Sequence, residues 1–252
     1  IAPDRRDGNR KMKALIKHAI NKMGFDVVKL KDSNFTLAAN LMNIIRARKI
    51  ECVFDVGANT GQYGKLLRQI GYQGHILSFE PVRHVFEMLE AAARQDPKWA
   101  CFQNALGESE EQKNINVYES TDFSSFLEAN AYCKNTFASI EVTHSEAVRV
   151  SPLQDIYPDI MKDIGDVPCM LKMDTQGYDL NVFRGSYGIL DRIEAIQSEI
   201  SIINIYDDMP DGLDALRIFR EHGYDVSGMF PVNRDETLAA IEFDCLLVKR
   251  HG

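Results

Sequence analysis

The chain has 252 residues and a formal net charge of −8, with 45% hydrophobic and 26% charged residues. This composition is typical of a globular protein with a sizeable core, and it excludes a disordered, collagen-like or repeat-rich chain. The longest apolar runs are far shorter than the roughly 18 residues of a membrane-spanning helix, and the first residues show no secretory signal. We therefore expect a soluble, cytoplasmic protein.

Cysteine and histidine form no metal-binding pattern. The five cysteines include no CxxC pair and four of them lie in apolar runs, which favours small buried side chains. The six histidines show neither HxxxH nor HxxEH spacing. We expect no metal site.

The first 31 residues are basic, with nine Lys or Arg against three Asp, whereas residues 32–252 hold 20 Lys or Arg against 34 Asp or Glu. Residues 12–23 show an apolar helical stripe with lysines on the other faces. Such a helix packs on its domain, which we favour, or makes peripheral contact with an anionic membrane. A second helix is predicted from a cap at Asp32-Ser33 to the basic run 46–49, so residues 1–50 are predicted to form a helical cap.

From residue 51 onward, short apolar strands alternate with helices. Strands are predicted over residues 51–56, 75–80, 99–105, 169–174 and 193–203, and helices over 63–70, 82–94, 180–190 and 211–221. This alternation predicts an α/β fold with a parallel sheet and helices on both faces. The last two runs, 224–230 and 243–249, have no helix between them and are typical of an antiparallel hairpin at the sheet edge.

Residues 107–150 are less regular. Residues 113–118 and 141–150 are predicted to pair as antiparallel strands around a stretch rich in Ser, Phe and Asn. Long loops of this kind in a compact domain are often functional lids.

The candidate binding residues are those at the carboxyl ends of the strands, because ligands of open α/β sheets bind there. The first strand ends in Asp55-Val-Gly-Ala-Asn-Thr-Gly61, and Glu80 ends the next, where it can accept ribose hydroxyls. The dinucleotide fingerprint GxGxxG is absent, since Asn59 and Gln62 stand where glycines belong. A cationic ligand with a ribose but no diphosphate, such as S-adenosylmethionine, fits better.

An ordered set of motifs makes this interpretation specific. The motifs are Asp-Val-Gly-Ala-Asn-Thr-Gly (55–61), Phe-Glu-Pro (79–81), Asn-Ala-Leu-Gly (104–107), Phe-Ser-Ser-Phe (123–126), Leu-Lys-Met-Asp-Thr-Gln-Gly-Tyr-Asp-Leu (171–180), Phe-Arg-Gly (183–185), Glu199 and Phe-Asp-Cys-Leu-Leu-Val (243–248). Over about residues 51–250, the chain resembles the FkbM-type family of S-adenosylmethionine-dependent methyltransferases.

The resemblance implies a Rossmann-like class I methyltransferase domain over residues 51–252, with a seven-stranded, mostly parallel sheet whose last strand is antiparallel. The residues that it places around the cofactor are Asp55, Gly57, Ala58, Asn59, Gly61, Glu80, Pro81, Asn104, Ala105, Leu106, Ser124 and Ser125. Residues 55–61 hold the methionine and ribose parts, Glu80 takes the ribose hydroxyls and residues 104–106 flank the adenine. The two serines close over the cofactor or, alternatively, cap a following helix.

Three further side chains are catalytic candidates. Lys172 and Asp174 are two residues apart on one strand and so share a face. Asp174 is then a base or a hydrogen-bond acceptor for the substrate and Lys172 orients it, unless the two form only a structural ion pair. Glu199 is a carboxylate inside an apolar run. His144 is a weaker candidate for a base, and Gln176 receives no role because many family members carry Glu there.

The resemblance to the family implies methyl transfer from S-adenosylmethionine to a hydroxyl oxygen of a sugar, a glycan or a secondary metabolite. A protein acceptor, or a cofactor-binding module without catalysis, are the alternatives. The charge of residues 32–252 argues against nucleic acid as a partner.

Overall fold

The computed structural model describes residues 36–137 and 140–251, together with Ile20 and Lys22. Apart from these two residues, the helix predicted over residues 12–23 lies outside the described ranges, and its contact with a membrane stays a prediction. The first complete helix, α1 (Leu37–Ala47), begins after Thr36, whose hydroxyl accepts a hydrogen bond from the Ala39 amide at 3.3 Å. The predicted cap at Asp32-Ser33 is therefore wrong for this helix. Every helix of the described ranges is too short or too polar to cross a membrane.

Ten strands are described in chain order. They are β1 (Cys52–Val56), β2 (His75–Phe79), β3 (Trp99–Phe102), β4 (Ala105–Leu106), β5 (Glu111–Tyr118), β6 (Val142–Ser151), β7 (Cys169–Met173), β8 (Ile193–Ser201), β9 (Tyr224–Arg234) and β10 (Ala240–Lys249). Seven of them form one sheet in the order β3-β2-β1-β7-β8-β10-β9. The neighbours from β3 to β8 are parallel, and β10 is antiparallel to both β8 and β9. The predicted sheet, with its hairpin at one edge and its antiparallel last strand, is confirmed.

Helices cover both faces of this sheet, as predicted. After α1 come α2 (Gln62–Gln69), α3 (Arg83–Ala93), α4 (Ala131–Thr136), α5 (Leu153–Ile160), α6 (Asp179–Arg184) and α7 (Gly212–Glu221). Successive strand residues point to opposite faces: Phe54 packs in the core with α5, α6 and α7, whereas Val53 packs with α1, α2 and α3. The described part of residues 1–50 thus packs on the main sheet, and the division of the chain at residue 50 stays a prediction.

A second, three-stranded sheet has the order β4-β6-β5. Its strands β5 and β6 pair antiparallel, with Lys113 opposite Val148, as predicted for this segment. The predicted strand 99–105 is in fact two strands, because the chain leaves the main sheet after Phe102 and β4 pairs with β6 instead. The helix predicted over 180–190 ends at Arg184, where Gly185 packs so tightly that a Cβ would overlap the carbonyl oxygen of Gly107.

Candidate active site

A cavity of about 540 Å³ lies at the carboxyl ends of the parallel strands and reaches the start of β10. The predicted site residues that line it are Gly57, Ala58, Asn59, Glu80, Pro81, Asn104, Ala105, Leu106, Ser124, Ser125, Lys172, Asp174 and Glu199. Asp55 and Gly61 do not line it. The motifs that lie far apart in the sequence are therefore brought around one space.

The loop after β1 needs a glycine where it meets β7. Gly57 has a φ of +69°, and a Cβ there would overlap the carbonyl oxygen of Asp174. The amides of Gly57 and Ala58 both donate to the carbonyl oxygen of Phe79, at 3.1 and 3.0 Å. Glycine thus lets the loop lie directly between the ends of β2 and β7. Gly61 instead caps α2 and lies against Trp99, so it shapes the loop without reaching the cavity.

Asp55 lies behind the cavity wall. Its side chain is 0% exposed; Ser78 Oγ donates to Oδ2 at 2.9 Å, and Lys172 Nζ lies 3.0 Å from Oδ1. The predicted direct contact of Asp55 with the cofactor needs correction, because the carboxylate is fully buried and does not reach the cavity. Asp55 is the buried counter-ion of Lys172.

Lys172, on β7, links the end of this strand to the end of β1. Its ammonium group donates to the carbonyl oxygens of Gly57 at 3.0 Å and Val56 at 3.3 Å, and lies 3.6 Å from Asp174 Oδ2. Burial opposes the charged form, but the carboxylates of Asp55 and Asp174 outweigh it and raise the pKa of Lys172 above its usual range. Lys172 is therefore a fixed cation rather than a base, and its contact with Asp174 is compatible both with the predicted orienting role and with a structural ion pair.

Glu80 presents a carboxylate to the same cavity. Its Oε1 accepts from the amide of Val82 and its Oε2 from the amide of Asn59, both at 3.0 Å. Burial raises the pKa of Glu80 to about 7 despite these two donors. The backbone thus fixes the orientation of the carboxyl group, as a group that accepts ribose hydroxyls requires.

Acidic side chains dominate the other end of the cavity. Asp174, Glu199, Glu242 and Asp244 all line it. Burial, and then these neighbouring acids, raises the pKa of Glu199 well above its usual range. Lys172 is the single Lys or Arg among the described lining residues, so the wall favours a positively charged ligand. Across the residues the structure describes, no group of three His, Cys, Asp or Glu is arranged to hold a metal ion.

The opposite end of the cavity has an apolar wall, to which Ile115 and Phe126 contribute beside Ala105 and Leu106. Here Asn104 Oδ1 and Ser124 Oγ are buried and have no hydrogen-bond partner within the described part of the chain. Buried polar atoms are normally hydrogen-bonded, so these two indicate a place where a polar ligand completes the structure. An adenosine group fits such a mixture of apolar and polar surface.

Residues 119–130, which we call the strap, cross the cavity. Ser125 exchanges backbone hydrogen bonds with Asn116 on β5, at 2.9 and 3.1 Å. Its hydroxyl donates to the carbonyl oxygen of Gln176 at 2.7 Å, and the side-chain amide of Asn59 donates to Asp122 at 2.6 Å. The alternative role of the serines as helix caps is wrong, because Asn130 caps the following helix α4.

Several residues of the cavity wall were not predicted as site residues from the sequence. Tyr63 donates to Gln197 Oε1 at 2.8 Å, and Gln197 Nε2 donates to Asp244 at 3.0 Å. Glu242 and Asp244 lie in a strand that reads as an apolar run, which is the same signal that identified Glu199. His144 does not line the cavity; it lies beside Thr143 and Glu146 on β6, so its candidacy as a base is wrong.

The chain is similar to a known protein family and to several solved structures. The family model described as the methyltransferase FkbM domain matches residues 55–226. A search of curated protein sequences finds no match to the chain. Solved structures with a similar fold include an rRNA methylase from Streptococcus thermophilus, at 9% identity and a TM-score of 0.45, covering 87% of this chain and 99% of that one. They also include the O-methyltransferase TomG from Streptomyces achromogenes in complex with SAM, at 13% identity and a TM-score of 0.46, covering 84% and 79%.

Proposed function

Because the chain belongs to the FkbM methyltransferase family, and S-adenosylmethionine is its cofactor, we propose that it methylates a hydroxyl oxygen of a sugar, a glycan or another small metabolite. One observation carries the proposal. The side chain of Asp174 is 46% exposed and lines the cavity that the glycine loop and Glu80 also line. A base for a hydroxyl proton must be within reach of the acceptor, and an exposed carboxylate in the cavity wall supports this role for Asp174.

The residues around the cavity are suited to the cofactor in three places. The loop 57–59 and the carboxyl group of Glu80 would hold the ribose and methionine parts, and residues 104–106 with Ile115 and Phe126 would flank the adenine. Asn104 Oδ1 and Ser124 Oγ offer unpaired polar atoms. Asp55 acts from behind this surface, by keeping Lys172 in place.

When bound, S-adenosylmethionine supplies a methyl group on a positively charged sulfur. The carboxylates of Asp174, Glu199 and Asp244 favour that charge within the cavity. Holding the donor and the acceptor in line lowers the barrier by up to about 7–11 kcal/mol in favourable cases. The chain's part in catalysis is therefore chiefly to orient the two reactants and to exclude water beneath the strap.

Asp174 and Glu199 have different roles. Asp174 accepts the proton of the acceptor hydroxyl, and Lys172, whose Nζ lies 3.6 Å from Asp174 Oδ2, orients its carboxylate. Burial and the neighbouring acids raise the pKa of Glu199 well above its usual range, so we assign it to hold the acceptor by a hydrogen bond rather than to act as the base. An acidic wall of this kind suits neutral polyols and disfavours phosphates and carboxylates, and it likewise disfavours nucleic acid as the acceptor.

The experiment uses S-adenosylmethionine with a labelled methyl group and a panel of neutral sugars, glycans and hydroxylated small molecules. We expect transfer by the parent protein to at least one of them. Asp174→Asn should lower the rate by about 10²–10⁴-fold while S-adenosylhomocysteine still binds. Asp163→Asn, at an exposed position outside the cavity, is the matched control. Binding without transfer to any acceptor, or full activity of Asp174→Asn, would contradict the proposal.

A further inference from the structure

Gln176 lies in the turn after β7 with a left-handed φ of 52°. This conformation is strained for a residue other than glycine and persists only where the surroundings hold it. The side chain of Gln176 lines the cavity. The contacts that hold Gln176 are therefore part of the site.

One end of its side chain faces the two acids. Gln176 Nε2 donates to Glu199 Oε2 at 3.0 Å and to Asp174 Oδ1 at 3.3 Å. Two neighbouring carboxylates repel each other, and an amide group has two hydrogens to donate. The neutral amide therefore stabilises an arrangement in which both acids reach the cavity.

The other end faces the strap. The Tyr206 hydroxyl lies 2.9 Å from Gln176 Oε1 and 3.1 Å from the carbonyl oxygen of Phe123, so its one proton is shared between them. Ser125 Oγ donates to the backbone oxygen of Gln176 at 2.7 Å. Gln176 thus contacts the strap through both its backbone and, by way of Tyr206, its side chain.

We propose that Gln176 is a positioning residue that couples closure of the strap to the arrangement of Asp174 and Glu199. Tyr206 is 1% exposed, and its hydroxyl donates toward Gln176 and Phe123 rather than toward either acid. By donating to Gln176 Oε1, the Tyr206 hydroxyl fixes the orientation of the amide group, and therefore the groups to which Nε2 donates. The catalytic meaning of this coupling rests on the proposed function, but the coupling is a property of the free protein.

The pKa of Glu199 is the property that we expect to change when the coupling is broken. The carboxylates that act on it are those of Asp174, Glu242, Asp179 and Asp244, and Lys172 lies beyond Asp174. The hydrogen bond from Gln176 stabilises the charged form of Glu199 against these neighbours. If the amide is released, the pKa of Glu199 rises further.

The test follows the titration of Glu199 by carboxyl-carbon NMR, with the resonance assigned by its loss in Glu199→Gln. Tyr206→Phe removes one hydroxyl and keeps the ring. We expect it to raise the midpoint of Glu199 by at least about half a pH unit and to speed hydrogen exchange of the strap amides by at least about fivefold. Gln176→Leu should do both. Adding Tyr206→Phe to it should leave the midpoint of Glu199 nearly unchanged, because without the amide group the Tyr206 hydroxyl is linked only to the strap, through Phe123.

Tyr224→Phe is the matched control, because this buried hydroxyl donates to the backbone oxygen of Ile193, away from the cavity. It should alter neither readout. The proposal is overturned if Tyr206→Phe loosens the strap and leaves the midpoint of Glu199 unchanged, or if the effects of the two substitutions on that midpoint add. Neither readout needs the cofactor, so failure of the proposed function, seen as no binding of S-adenosylhomocysteine, is distinguishable from failure of the coupling.

Discussion

At the scale of single residues, the site depends on Lys172. Its ammonium group is bound by the carboxylate of Asp55 and by two backbone oxygens, and its side chain is 4% exposed. A buried charge without its partner is far more costly than a broken surface pair. The ion pair therefore fixes the ends of β1 and β7, and with them the position of Asp174.

Lys172→Met leaves Asp55 buried and unpaired, so we expect the free energy of unfolding to fall by about 3–5 kcal/mol. Urea denaturation measures this change. Arg149→Met also removes a cation, but from an exposed pair with Glu110 that water already solvates, so its free energy of unfolding should stay close to that of the parent. Equal losses in the two variants would show that the buried pair has no special role.

Glu80 makes the free energy of unfolding depend on pH, in a direction that follows from its pKa. Its pKa is about 7 in the folded protein against 4.5 as the ordinary value. Between these values the folded state binds more protons than the unfolded state, so stability falls as pH rises. We expect Glu80→Gln to remove about 2–3 kcal/mol of this decline between pH 4.5 and 7, measured by urea denaturation at several pH values. The exposed change Glu87→Gln should leave the slope as it is, and an unaltered slope in Glu80→Gln would refute the assignment.

At the scale of elements, the close approach of the β1 loop to the end of β7 is the critical contact. Gly57→Ala places a Cβ against the carbonyl oxygen of Asp174, so we expect a loss of at least about 2 kcal/mol in the free energy of unfolding. Gly71→Ala also has a positive φ but meets no atom within 4 Å, and should cost about 1 kcal/mol. Denaturant unfolding of both variants checks this difference, which a similar cost in each would contradict.

The strands and helices also show how much of the fold can be predicted from the sequence. Strands buried on both faces, such as β1 and β7, are continuous apolar runs between turn signals, and these were predicted correctly. Helices α4 and α5 were missed, because α4 has six residues and α5 contains Pro158. In the site, glycines and strand-end acids were recognisable, whereas the positions of Asp55 and Gln176 depend on side-chain contacts between distant segments.

At the scale of the whole molecule, charge is distributed to suit a small cationic ligand. Residues 32–252 hold 20 Lys or Arg against 34 Asp or Glu, and several of these acids converge on the cavity. The same acidic side chains would repel the phosphate groups of a nucleic acid. We therefore expect a labelled 20-nucleotide RNA to show no binding tighter than about 10⁻⁴ M at low salt by fluorescence anisotropy. Tighter binding that weakens with added salt would contradict this account.

The proposed function requires this cavity to bind the methyl donor through Glu80 and the loop after β1. Titration calorimetry with S-adenosylhomocysteine measures this binding. We expect the parent protein to bind with a Kd of about 10⁻⁴ M or tighter, and Glu80→Ala to bind at least about tenfold more weakly. Glu87→Ala, at an exposed position outside the cavity, should bind like the parent. No heat of binding in the parent, or equal affinity in Glu80→Ala, would contradict it.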